Sequence, residues 1–146
     1  MKKLYTLLFI LLSLSTTYSQ GSEDFTNSAA TATYADGSFV GNGGITWTYG
    51  HSRNQGTGTD DYSITGNGLM LRRASDSYLE AVIPGGVGEF TFQYRKAFTG
   101  ASERQLELLV NGVAVTTSTA FGAASGAEAT IYNFSHTVNQ PGNVTI

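Results

Sequence analysis

The chain has 146 residues, 18 of them glycine, no cysteine, and a formal net charge of −3. Lack of cysteine excludes disulfide staples, thiolate metal sites and cysteine nucleophiles. Residues 20–146 hold six basic side chains against eleven acidic ones, a net charge of −5, which argues against electrostatic capture of nucleic acid.

The first segment reads as an export signal. Lys2 and Lys3 precede an apolar stretch of eleven residues, 4–14, and Thr17 and Ser19 are the small residues a signal peptidase accepts before Gln20. A membrane-spanning helix needs about 20 apolar residues, so residues 1–19 are expected to be cleaved. The product would be secreted through the periplasm to the cell surface or medium, with no membrane attachment. Residues 20–146 then form one domain.

Within that domain the repeating signal is alternation with period two, bounded by glycine turns, and no sustained helical spacing. Strands are expected over 22–25, 38–40, 46–51, 61–65, 69–73 and 78–83. Residues 36–54 (DGSFVGNGGITWTYGHSRN) hold five glycines and the only tryptophan, and Ile45, Trp47 and Tyr49 give this strand one aromatic face. Phe90, Phe92 and Tyr94 alternate with polar residues, and so do Leu106, Leu108 and Val110. Asn111-Gly112 then separates that run from Val113, Val115 and Thr117, the strongest short-range hairpin signal. Further strands are expected over 129–137 and 144–146. Many short strands with frequent turns predict an all-β fold, an antiparallel β-sandwich of jelly roll-like type. Two polar or small-residue loops, 53–60 and 118–128, are long enough to carry a binding function. The final run Asn143-Val144-Thr145-Ile146 is shorter than the usual strand of about 5–6 residues, so the sequence is expected to be a fragment whose sandwich lacks its last strand or strands.

The succession EDFTNS, YADGSFVGNGGITWTYGHSRN, YSITGNGLMLRRASDS and LEAVIPGGVGEFTFQYRKAFTGASERQLELLVNG resembles a β-sandwich module of secreted Bacteroidetes proteins, over nearly all of residues 20–146. The resemblance implies a module found beside extracellular endonucleases, other hydrolases and lamin-tail-like domains, often ahead of a type IX secretion sorting signal. It also implies one or two further strands past Ile146, and it carries over no active-site residue.

Signals for catalysis are sparse. The chain has neither a Gly-x-Ser-x-Gly elbow nor an HExxH pair, and lacks Walker and Rossmann glycine patterns. Gly85–Phe90 is glycine-rich but enters a strand, so no helix N-terminus faces a phosphate. Glu80, Glu89, Glu103 and Glu107 read as solvated acids rather than a glycosidase pair. The expectation is a non-catalytic accessory or interaction module joined to other domains of its polypeptide. Its candidate ligand is a polysaccharide or cell-surface glycan. Trp47 and Tyr49 would stack on sugar faces if their strand exposes them, and would fill the core if it does not. Arg53, Arg72 and Arg73 would bond hydroxyls or carboxylates. Asp60 and Asp61 are candidate ligands for a structural calcium, a hard cation that prefers carboxylate and carbonyl oxygens. Two alternatives stay open: the N-terminal part of a larger exported nuclease or glycan hydrolase, and a structural adhesin or matrix module.

Overall fold

A computed structural model describes residues 21–146; the export signal expected over residues 1–19 lies outside the described residues. The fold is all-β, and every strand pairing is antiparallel. Among the described residues nine strands follow in chain order: β1 Ala35–Val40, β2 Thr46–Asn54, β3 Leu69–Leu71, β4 Tyr78–Ile83, β5 Val87–Arg95, β6 Glu107–Val110, β7 Val113–Thr117, β8 Ile131–Gln140 and β9 Val144–Thr145. The largest sheet runs β1–β2–β4–β9, with β3 pairing the last part of β2 beyond the reach of β4. β5 and β8 form a second sheet, and β6 and β7 form the hairpin. Among the described residues no helix is long and apolar enough to cross a membrane.

The expected hairpin forms for the expected reason. Asn111 and Gly112 have φ of 51° and 78°, the paired positive values of a type I′ turn, which matches the twist of the flanking strands. Two expected strands do not form. Residues 22–25 and 61–65 are turns and irregular chain, because local carboxylates take the amides a strand would pair. Glu23 accepts the Phe25 N–H at 2.7 Å, and Asp61 accepts the Ser63 N–H at 2.8 Å. Such local side-chain to backbone bonds compete with a sheet ladder.

Two apolar clusters fill the interior. One contains Phe39, Trp47, Tyr49 and Ala81 from the large sheet. The other draws Val87, Tyr94, Leu108, Val110, Phe121 and Phe134 together with Val144 and Ile146. Ile83 packs against both clusters. In the second cluster, Phe92 stacks on Phe134 with centroids 4.6 Å apart, and Tyr94 stacks on Tyr132 at 5.3 Å. Each pair sits directly opposite in the β5–β8 register, so stacking adds about 0.5–1.5 kcal/mol per pair to area burial.

β9 is short but held on both sides. Ile146 exchanges two backbone hydrogen bonds with Ala81, both 3.0 Å. On its other edge, Asn111 donates its N–H to the Thr145 carbonyl at 2.8 Å and accepts the Thr145 N–H on Oδ1 at 2.9 Å. Val144 is fully buried while Val40 is 60 % exposed. Val144→Ala is therefore expected to cost about 2–3 kcal/mol through lost burial plus a cavity, and Val40→Ala to stay within about 0.5 kcal/mol. Urea midpoints at constant m-value measure both; equal shifts would contradict the packing described.

Candidate functional site

The large sheet has a core face and an open face, and the sequence-derived candidates divide between them. Trp47 and Tyr49 point the same way, as alternation requires, and that way is inward. They are 8 % and 4 % exposed, so of the two readings open for them the core one holds, and neither ring is placed to stack on a sugar. Tyr49 lies across Gly37, its cross-strand partner, and a Cβ at position 37 would fall 2.4 Å from the Tyr49 hydroxyl.

The open face holds a different aromatic. Tyr78 begins β4, opposite Gly50 of β2, and is 48 % exposed. Its ring edge rests over Gly50, where a Cβ would come within 2.4 Å of Cε1. Glycine in mid-strand thus lets a tyrosine lie on the sheet with its other side toward solvent. Next to it along the strands runs a groove of about 480 Å³, lined among others by Thr46 and Thr48 of β2, Glu80 and Val82 of β4, and Asn143. The Thr48 hydroxyl reaches the Glu80 carbonyl at 3.5 Å. The Glu80 carboxylate is exposed and absent from the ion pairs among the described residues. The face therefore combines an aromatic surface with a hydroxyl, a carboxylate and an amide, the donor and acceptor mix that polyhydroxylated ligands require. Sequence reasoning missed Tyr78; the readable sign was a glycine inside the strand 46–51, whose partner only the register reveals.

The arginines are not on that groove. Arg53 near the end of β2 lies between two rings, 5.7 Å from the centroid of Tyr34 and 5.8 Å from that of Phe98. Arg72, just past β3, lies 5.8 Å from the same Tyr34 ring. These distances suit cation–π contact. Arg72 is brought there by its own backbone, whose N–H bonds the His51 carbonyl at 3.1 Å. Arg73 is exposed and joins neither ring. Tyr34 and Phe98 carry no sequence pattern that marks them, being adjacent only through tertiary pairing.

The calcium expectation for Asp60 and Asp61 gains no partner set. Among the described residues no group of three or more His, Asp or Glu side chains converges, and both aspartates are exposed. The hydrogen bond from Ser63 N–H holds the Asp61 carboxyl below its ordinary range, so this group is already engaged in a turn. The loop 118–128 is also not a free binding loop. Phe121 is buried in the core, and buried Lys96 donates from Nζ to the carbonyls of Ala124 and Gly126. Arg104 Nη1 donates to the Gly122 carbonyl at 3.1 Å. Two cations thus gather the loop carbonyls inward.

His51 has a left-handed φ of 46° and places Nδ1 2.8 Å from Asp76 Oδ2. A histidine–aspartate pair suggests a hydrolytic relay, but the hydroxyls of Ser52 and Ser77 donate to the Gly50 and His51 carbonyls. No nucleophile is bonded to the pair among the described residues. Comparison with protein-family models, curated proteins and solved structures finds no match to this chain.

The hydrogen bond from His51 lowers the Asp76 carboxyl below its ordinary value. A carboxyl lowered on folding stabilises the fold above its unfolded pKa of about 3.9 and loses that contribution as pH falls through the folded value. Stability measured by urea midpoint is expected to fall on acidification below about pH 4. Asp76→Asn should flatten that decline without abolishing it, since Asp24 and Asp61 are lowered by their own turn amides. An unchanged acid limb in Asp76→Asn would show that the pair contributes nothing.

Proposed function

We propose that the protein is a secreted, non-catalytic accessory module, a β-sandwich of the kind carried by Bacteroidetes extracellular proteins, that holds a saccharide on the open face of β2 and β4. The sequence of residues 1–19, two lysines ahead of an eleven-residue apolar stretch and small residues before Gln20, supports export. Ile83, packed against both apolar clusters, supports a two-layer arrangement. The observation that carries the ligand assignment is Tyr78 laid over Gly50 beside the Thr48–Glu80 groove. A sugar ring has an apolar face that an exposed aromatic can cover, and peripheral hydroxyls that need donors and acceptors around that aromatic. The open face supplies both within one strand pair. The reading assigns no catalytic residue and no cofactor.

Affinity electrophoresis of the full chain against a panel of soluble polysaccharides tests this. The wild-type chain is expected to be retarded by at least one, and Tyr78→Ala to lose on the order of tenfold in affinity, about 1.4 kcal/mol, with an unchanged far-UV spectrum. Glu80→Gln should weaken retardation less. Retardation by none of the panel, or an unaffected Tyr78→Ala, would sink the proposal.

Gly50→Ala probes the same feature through strain. The added methyl is expected to destabilise the fold by about 1–3 kcal/mol by overpacking and to weaken binding although Tyr78 is intact. Gly50→Ala combined with Tyr78→Ala should recover part of the lost stability, the Asp76 carbonyl still lying 3.0 Å from the added methyl, a coupling that independent sites would not show.

A further inference from the structure

We infer that the cluster of Arg53, Tyr34 and Arg72 is a second binding site, for an oxyanion, carboxylate or sulfate ester, carried on an acidic polysaccharide. The first ground is uncompensated charge. Guanidinium stays protonated in proteins, and two of them share the ring of Tyr34 at 5.7 and 5.8 Å. In a chain of net charge −3, like charges so placed would ordinarily be separated by an acid. The one ion pair among the described residues is His51 with Asp76, so neither arginine has a carboxylate within 4.0 Å. Asp76 exerts only a minor attraction on Arg72 and is bonded to His51.

The second ground is unused hydrogen-bonding capacity. A guanidinium in cation–π contact with aromatic rings can keep its terminal N–H groups for an acceptor. Arg53 lies near both Tyr34 and Phe98, and its Nε is buried without a hydrogen-bond partner in the protein, which leaves the terminal nitrogens as the groups an external acceptor would meet. A buried donor left unpaired is costly. A planar or tetrahedral group with two or more anionic oxygens matches the guanidinium fork.

The choice of a saccharide carrier rests on the reading proposed above; the oxyanion site itself does not. Duplex DNA presents one charge per about 1.7 Å and demands a long basic stripe. Here there are only two arginines on one ring, with exposed Arg73 next to Arg72 in the chain. Sparse anions fit so short a basic site better than a phosphate polymer does.

The test measures binding of the full chain to polygalacturonate, dextran sulfate, neutral dextran and duplex DNA at about 50 and 200 mM salt. Retention on polygalacturonate alone assigns a carboxylate, on dextran sulfate alone a sulfate, and on both their shared chemistry, with weaker binding at the higher salt in each case. Arg72→Gln, at an exposed position, is expected to keep the fold and lose roughly tenfold in affinity, and Arg53→Gln with Arg72→Gln to lose binding altogether. Tyr78→Ala should keep the salt-sensitive binding. Unaltered affinity in Arg72→Gln, or no binding of either acidic polymer, overturns the oxyanion site. Tighter binding to DNA than to both polymers overturns the saccharide carrier. Loss of acidic-polymer binding in the arginine variants, with no neutral glycan retained by the wild-type chain, leaves this site standing while the groove at Tyr78 falls.

Discussion

The rest of the structure depends on residues 144–146 being gripped from two directions. Their backbone extends the large sheet through Val82, Ile83 and Ala81, while Val144 and Ile146 bury their side chains in the cluster built by β5, β6 and β8. Asn111 closes the grip by bonding both backbone groups of Thr145, and its amide nitrogen donates to Gln140 Oε1 at 3.2 Å. One turn residue therefore ties the hairpin, β9 and the end of β8 together. Three sheets that share no ladder become one body through this knot and the packing around it.

That knot shows how local and non-local requirements coincide at Asn111. The type I′ turn needs a residue that tolerates positive φ, and asparagine does so better than most. The same side chain then supplies the acceptor that β9 needs on its outer edge. The hairpin was legible because its rule is local. The tie to Thr145 was not, because nothing near Asn111 in sequence announces a partner so far along the chain.

The same distinction explains the other successes and misses. Alternation in Phe90, Phe92 and Tyr94 reports a strand whichever partner it finds, and β5 forms. Residues 22–25 and 61–65 are too short for alternation to outweigh one carboxylate, and Glu23 and Asp61 convert them to turns. Trp47 and Tyr49 were correctly placed on one face, yet period two cannot say which face is dry. Tyr78 looked like an ordinary strand residue until the register set it opposite Gly50. Arg53 and Arg72 were read as ligand-bonding residues from their chemistry alone. Their convergence on Tyr34 required β1, β2 and β3 to be in register.

Two mid-strand glycines carry an aromatic each, Gly37 under Tyr49 on the core face and Gly50 under Tyr78 on the open face. For the second pair this ties two positions into a single unit of descent. A lineage that gains a side chain at position 50 must displace or shed the ring at position 78, and with it the exposed platform. A lineage that first sheds the ring has only the Asp76 carbonyl, 3.0 Å from a new Cβ, left to accommodate at position 50, and filling it closes the way back. Among descendants of such a chain, glycine at one position and an aromatic at the other should therefore persist or vanish together, whatever happens to the buried tryptophan on the opposite face.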